Sequence, residues 1–446
     1  MRSQRSTRTW RFVRFGRRGS SAEGATEFDV RCEIIAVGSE LLTPSRLDTN
    51  SLYLTERFND IGIDVRAKSV VGDDRDDLAG IFSGALARAE LVVLTGGLGP
   101  TSDDLTRETV SEVLGRPLAE DGRIVAAIER RFAARGLRMP SINRRQALVP
   151  AGARVLDNPH GTAPGLWIDD GDRVVLLLPG PPRELKPMVE SLVLPSLAER
   201  TGGARLYRRV LRIAGRPESL VEEVTQPIYS AWTQESPPLV TTILAAPGQV
   251  ELHVSTAARD ERVARQRLSA AVDELTAALA GDVFSADGRS LEEVVGDLLR
   301  DRGLSIALAE SCTGGLATSR LTDVPGSSHY VTQAVVAYSN ESKIATLGIQ
   351  PELIARYGAV SEPVAMAMAE GVKKMANASV GVGITGVAGP GGGTAGKPAG
   401  TVAIAVAFAD ETTARTFRFP GSRDMVKSQA AQGALDMVRR RLLAGR

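Results

Sequence analysis

Apolar residues in this chain fall into short unbroken runs, each followed by a stretch in which they recur every three or four positions. The runs CEIIAVG (32–38), IDVRAKSVVG (63–72), LVVLTGG (91–97) and RVVLLLPG (173–180) predict strands. Between them, Asp48, Thr49 and Asn50 offer caps for a helix carrying Leu52, Leu54 and Phe58, and DDLAGIFSGALARA (76–89) predicts a second. Pro181 and Pro182 open another helix over RELKPMVESLVLPSL. Strands alternating with helices predict an α/β fold, a parallel sheet covered on both faces in three layers.

The pattern changes near Gly202. From Tyr207 to about Ser285 it reads β-α-β-β-α: YRRVLRIAG, a helix over PESLVEEVTQPIYSAW, strands at PLVTTILAA and QVELHVSTA, and a helix over DERVARQRLSAAVDELTAAL. That suits a small α+β module. A third segment opens with a helix whose apolar positions are Leu291, Val294, Val295, Leu298 and Leu299. Strands LSIALAES, QAVVAYSN, VGVGITGVAG and GTVAIAVAF follow, alternating with helices, and MVKSQAAQGALDMVRRRLLAG closes the chain as a helix. The expected organisation is an N-terminal extension over 1–29, an α/β domain over 30–202, an α+β connector over 203–285 and a second α/β domain over 286–446. A length of 446 residues suits two or three domains.

Composition narrows the function classes. The 54 Lys and Arg nearly balance 53 Asp and Glu, so no global basic field recommends nucleic acid as a partner. No apolar run is long enough to span a bilayer, and no membrane partner is expected. Cys32 and Cys312 are the only cysteines, which excludes a disulfide framework and fits a reducing cytoplasm. The histidines His160, His253 and His329 have no zinc-ligand spacing. The first 29 residues are rich in Arg, Ser and Thr; they are expected to be a tail or an early start, with the functional chain beginning near Val30.

Two stretches carry chemistry. In LTGGLGPTSDDLTRE (94–108), Gly96, Gly97 and Gly99 follow a predicted strand, where a turn's open N–H groups can hold a phosphate. Thr101, Ser102 and Thr106 add hydroxyls, and Asp103 and Asp104 are hard oxygen ligands suited to a divalent metal. LPGPPRE (178–184) repeats the logic, with Arg183 available to a phosphate and Glu184 to a metal or a helix cap. NPHGTAPG (158–165) is expected at the same rim, with His160 a rim or structural residue.

The second stretch is GSSHYVTQAVVAYSNESK (326–343). Lys343 lies at the start of a predicted helix, where burial and the helix dipole favour a neutral amine able to act as a base. A serine facing it becomes a nucleophile, as in Ser–Lys hydrolases, and Tyr338 stands in place to relay or orient a proton. Ser327 and Ser328 precede the strand, and chemistry alone does not choose between them. LAESCTGGLATS (308–319) adds Ser311, Thr313, Gly314 and Gly315 at a strand-to-helix turn suited to an oxyanion or phosphate. Cys312, with no histidine in its motif, reads as a packing residue. Gly391 to Lys397 spells G-x-x-x-x-G-K, but Pro398 and a strand follow, so it is no ATP-binding loop; a lid or a ribose loop is expected.

These motifs carry two resemblances. GSELL (38–42), TGGLGPTSDDLT (95–106), NPHGTAPG and LPGPPRE resemble the N-terminal domain of the CinA family, similar in fold to MoaB, MogA and MoeA. That resemblance implies a molybdopterin-type binding domain with ADP-ribose pyrophosphatase activity dependent on a divalent metal, Mg or Co. Where many members read GQI-x-(N/D)-T-N, this chain has TPSRLDTN. AESCTGG, GSS, AYSNESK, YGAVSEPV, ITGVAGPGGGTAGKPAGTV and FPGSRD resemble the C-terminal CinA domain and the stand-alone PncC enzymes. This implies a nicotinamide-nucleotide amidase needing no metal, with Ser328 as nucleophile, Lys343 as base, Tyr338 assisting, and Ser311 shaping the oxyanion or phosphate site. The small substrates would be nicotinamide mononucleotide and ADP-ribose, and the protein a homodimer in the cytoplasm. The connector resembles a KH-type module but lacks a G-x-x-G loop, so RNA is not expected there.

Overall fold

The computed structural model describes residues 30–201 and 203–444; the expectation for the N-terminal extension lies outside them. The chain divides into two compact units, one reaching to Tyr207 together with Thr256–Arg265, the other Arg208–Ser255 with Gln266 onward.

The first unit is built on a six-stranded sheet in the order Ile63–Val71, Val30–Val37, Leu91–Thr95, Arg173–Leu178, Gly165–Asp170, Arg154–Leu156. Successive residues of Val30–Val37 point to opposite faces. Cys32 and Ile34 therefore join Leu54, Phe58, Trp167 and Leu185 on one side, while Ile35 and Val37 join Leu78, Phe82 and Val110 on the other. Both faces are covered, which is why the strands read as continuous apolar runs. Asp48 caps the helix Thr49–Asp60, accepting from Ser51 N at 3.0 Å.

The sheet is mixed rather than wholly parallel. The first four strands are parallel, but Gly165–Asp170 pairs antiparallel with Arg173–Leu178. Only Gly171 and Asp172 join them, too short a link for a crossover, and Gly171 takes the positive φ a tight hairpin needs.

In the second unit, five strands run in the order Val331–Val336, Ile306–Glu310, Val380–Gly386, Thr401–Ala407, Thr412–Arg418. The first three are parallel and the last two antiparallel. Helices Leu291–Asp301, Leu316–Thr322 and Arg423–Ala444 bury one face of the sheet; Asn340–Leu347, Pro351–Tyr357 and Glu362–Met375 bury the other. Helix Glu362–Met375 lies so close to the sheet that a Cβ on Gly383 would stand 2.1 Å from Ala365 O. The alternating glycines of VGVGITG are thus a packing requirement.

The α+β segment forms a four-stranded sheet, Val240–Ala246, Gln249–Ala258, Arg205–Ala214, Val283–Ser285, and most of it falls within the second unit. Arg440 ties it to the last helix, reaching Ala214 O at 3.2 Å and Asp282 Oδ1 at 2.9 Å. Among the described residues, no helix is long and apolar enough to cross a membrane.

Candidate active sites

The parallel strands of the first unit end at a cavity of about 650 Å³. Gly96, Gly97, Gly99, Asp103 and Asp104 line it, as the strand-end argument predicts, but the glycines serve the protein's own packing. A Cβ on Gly96 would stand 2.2 Å from Val37 O, one on Gly97 2.2 Å from Thr106 Oγ1, and one on Gly99 2.4 Å from Asp104 Oδ2. Thr106 is buried and donates to Gly96 O at 2.9 Å, closing the turn. Arg107, also buried, donates to Leu98 O at 2.6 Å and Arg145 O at 3.2 Å. Burial lowers its guanidinium from the ordinary value.

Asp104 Oδ2 is engaged, accepting from Thr101 N at 2.9 Å and Thr101 Oγ1 at 2.6 Å. The Thr101 hydroxyl is thus committed to the loop, and neither it nor Ser102 lines the cavity. Arg183 corrects an expectation: its side chain is 82% exposed, 3.9 Å from Glu184, and stays outside the cavity because it leaves the first turn of its helix toward solvent. Arg46, from the divergent TPSR segment, is the arginine that lines it. The acids lining the cavity are Glu40, Asp48, Asp73, Asp103, Asp104 and Glu184. Glu184 accepts from Asn158 Nδ2 at 2.9 Å, which fastens the NPHGTAPG loop to this rim and leaves His160 exposed. Asn50 donates to Gly180 O at 2.7 Å, while its buried Oδ1 has no partner. Among the described residues, no three His, Cys, Asp or Glu side chains gather as a metal cluster. Asp103 and the free Oδ1 of Asp104 are hard donors of the kind Mg²⁺ takes one or two at a time, with waters and phosphate oxygens completing its shell.

The second unit brings a lysine amine and a serine hydroxyl together. Strand Ile306–Glu310 ends at Ser311, and helix Asn340–Leu347, capped by the Ser339 side chain, carries Lys343 in its first turns. Lys343 Nζ lies 3.1 Å from Ser311 Oγ and 3.3 Å from Tyr338 O. The residue is 2% exposed. Burial lowers its pKa, opposed more weakly by the neighbouring Cys312 and Glu341. The same burial pushes the Cys312 thiol up to about 12, which keeps it protonated.

The structure separates Ser328 from this pair. Ser327–His329 precede strand Val331–Val336, whereas Ser311 and Lys343 sit past the opposite end of the same sheet. Five residue steps at about 3.3 Å put roughly 17 Å of strand between the two ends. Within one chain, Ser311 is the hydroxyl that meets the amine. Tyr338 also differs from expectation: its carbonyl, not its phenol, touches Lys343, and the phenol accepts from Arg423 Nη2 at 2.8 Å.

The turn after Ser311 is partly filled by the protein itself. Buried Glu310 accepts from Gly315 N at 3.0 Å, Ala317 N at 3.2 Å, Thr318 N at 2.8 Å and Thr318 Oγ1 at 2.7 Å. Gly314 N donates to Ser311 O. These N–H groups are therefore taken, and the helix N-terminus is not open to an anion. Thr313 Oγ1 is buried without a partner. Two cations border the site that the strand-to-helix pattern did not reveal. Arg423 reaches Gly389 O at 3.0 Å, and Lys427 Nζ would be 3.9 Å from a Cβ on Gly314. Their signal was the i, i+4 spacing after FPGS, one face of one helix. Lys397 donates to Tyr357 O at 2.6 Å and a strand follows its loop, so the G-x-x-x-x-G-K run is not a nucleoside-triphosphate loop.

Residues 288–442 match the family described as CinA C-terminal domain, and residues 33–199 the one described as probable molybdopterin binding domain. A CinA-like protein of Koribacter versatilis is 47% identical over 419 residues, covering 92% of this chain and 99% of that protein. The chain belongs to the CinA family. A putative competence-damage inducible protein of Symbiobacterium thermophilum is 46% identical over 423 residues, covering 92% of this chain and 98% of its own. Among solved structures, a CinA superfamily protein from Klebsiella pneumoniae is 33% identical, covering 35% of this chain and 99% of its own at a TM-score of 0.34. The molybdopterin biosynthesis enzyme MoaB from Thermus thermophilus is 23% identical, covering 39% and 97% at a TM-score of 0.27.

Proposed function

We propose that this CinA-family chain is a two-site hydrolase whose second unit deamidates nicotinamide mononucleotide to nicotinate mononucleotide and ammonia. The observation that carries the reading is a buried lysine amine 3.1 Å from a serine hydroxyl at a strand end. Neutral Lys343 takes the Ser311 proton as Oγ bonds to the carboxamide carbon. The C–N bond then breaks, and the proton passes from Lys343 to the departing nitrogen, giving ammonia and an acyl-serine. Lys343 next takes a proton from water, the hydroxide adds to the acyl carbon, and the proton returns to Ser311 as the carboxylate leaves. Arg423 and Lys427 supply the positive charge that a nucleotide phosphate needs beside this turn, and Thr313 Oγ1 is a donor for the developing oxyanion. Ammonia release from nicotinamide mononucleotide by the full chain tests the reading; binding without turnover would sink it.

For the first unit the proposal is hydrolysis of ADP-ribose to AMP and ribose 5-phosphate with a divalent metal. A cavity with six carboxylates and one arginine repels a bare diphosphate. Asp103 and Asp104 would hold the ion, which offsets that charge and polarises phosphorus when bound. Arg46 would meet phosphate, and the unpartnered Asn50 Oδ1 a ribose hydroxyl. A second reading, binding of a pterin or nucleotide without turnover, is favoured by the engagement of Asp104 with Thr101. Product analysis with ADP-ribose, with and without Mg²⁺ or Co²⁺, separates the two.

A further inference from the structure

Helix Arg423–Ala444 carries the two cations of the second site near its start, and Ala430, Ala431 and Ala434 bury its middle in the core. That middle reads QAAQGA, with no large apolar side chain. Interlocking side chains set the register of packed helices, so a smooth alanine face gives burial but little resistance to sliding. Sliding would matter here. Arg423 and Lys427 move with this helix, whereas Ser311 is held at its strand end, its N–H on Ile384 O at 2.9 Å.

One buried side chain supplies what the alanines lack. Gln432 is 3% exposed, and both ends of its amide are engaged. Its Oε1 accepts from Arg320 Nη2 at 2.6 Å, and Arg320 lies on Leu316–Thr322, the helix that leaves the Ser311 turn. Arg320 is held in turn by Glu292 at 2.6 Å. On the other side, Gln432 Nε2 donates to Gln249 Oε1 of the α+β sheet at 3.2 Å. Gln249 donates to Glu251 at 3.0 Å, and Glu251 is paired with Arg212 at 3.2 Å. The turn joining Val240–Ala246 to Gln249–Ala258 lies on the glutamine's stem: Gly248 has φ +80, and a Cβ there would stand 2.9 Å from Gln432 Cβ and Cγ. All these residues belong to the second unit.

We propose that Gln432 is a positioning residue of the second site. Joined to Arg320 on one side and to the hairpin turn on the other, it fixes the register of helix Arg423–Ala444 against helix Leu316–Thr322. It thereby sets how far Arg423 and Lys427 stand from Ser311, and the α+β segment becomes part of the grip on the nucleotide phosphate.

This inference rests on the amidase reading, and the wild type tells the two failures apart. A wild type that releases no ammonia from nicotinamide mononucleotide sinks that reading and this inference with it. With an active wild type, Gln432→Leu keeps the side-chain volume and removes both hydrogen bonds. It should raise KM for nicotinamide mononucleotide ~10–100-fold, the scale of a misplacement of about 1 Å. The kcat and its pH limb should not change, because Ser311 and Lys343 lie on other elements and only binding is loosened. Gln432→Glu keeps an acceptor for Arg320 and should recover most of the lost KM. Gly248→Ala pushes the hairpin turn off the helix and should reproduce the effect of Gln432→Leu. Added to Arg423→Ala with Lys427→Ala, Gln432→Leu should raise KM no further, since it acts through those cations. A wild-type KM in Gln432→Leu or Gly248→Ala overturns the inference. So does a Gln432→Leu enzyme whose kcat falls while KM holds, which is the mark of a lost active fraction, or one whose effect adds fully to that of the cation variants. Each of these outcomes leaves the Ser311–Lys343 chemistry standing.

Discussion

Replacing Lys343 by Met keeps the side chain's length and removes its basic nitrogen. If Lys343 only held Ser311 in place, the variant would lose one hydrogen bond, worth about 0.5–1.5 kcal/mol, and activity would fall roughly tenfold at most. If it is the base, Ser311 loses the group that makes it a nucleophile, and ammonia release should fall ~10⁴-fold, about 5.5 kcal/mol of barrier. The two accounts differ by about three decades, well within the range of a coupled ammonia assay. Arginine should not rescue, because a guanidinium stays protonated. Activity should rise with pH along a limb below the usual lysine value of about 10.4, since burial lowers the Lys343 pKa. Stability provides the control. The unfolded chain binds the lysine proton more tightly, so this residue's contribution to stability increases with pH between its lowered folded pKa and about 10.4. Lys343→Met removes that penalty and should be at least as stable as wild type at neutral pH. A well-folded Lys343→Met within tenfold of wild-type turnover would refute the reasoning.

Ser311→Ala should lose as much activity as Lys343→Met, and the double variant no more than either, because the two act as one unit. Alkylation should leave Cys312 untouched at pH 8 in the folded protein and modify it after denaturation, given a thiol pushed to about 12. Glu310→Gln should lower stability by about 2–3 kcal/mol in chemical denaturation, through loss of charge-assisted bonds to the helix start. Gly96→Ala should destabilise the first unit by ~2 kcal/mol or more, since φ is +98 and the new Cβ meets Val37 O at 2.2 Å; a thermal scan reads it.

Much of this architecture was legible from local pattern. Runs such as LVVLT and IALAE are apolar up to their last residue because both faces of their strands are buried, and periodicity reports burial directly. Asp48 was readable as a cap because capping is a contact over three residues. The family likeness, too, sits in contiguous motifs. The lowered pKa of Lys343 was half legible: its place at a helix start lies in the sequence, its burial does not.

Tertiary structure alone decided which groups meet. Lys343 and Ser311 are 32 positions apart and are brought to 3.1 Å only because adjacent parallel strands end at the same sheet edge. Ser328 is nearer to Lys343 in sequence and far from it in the chain's own fold, because a fully extended strand separates them. Arg183 looked like a phosphate ligand and points to solvent, whereas Arg46, in a segment without a readable motif, faces the cavity. Residue type and local spacing determine what a side chain can do; the crossing of distant strands determines what it can reach.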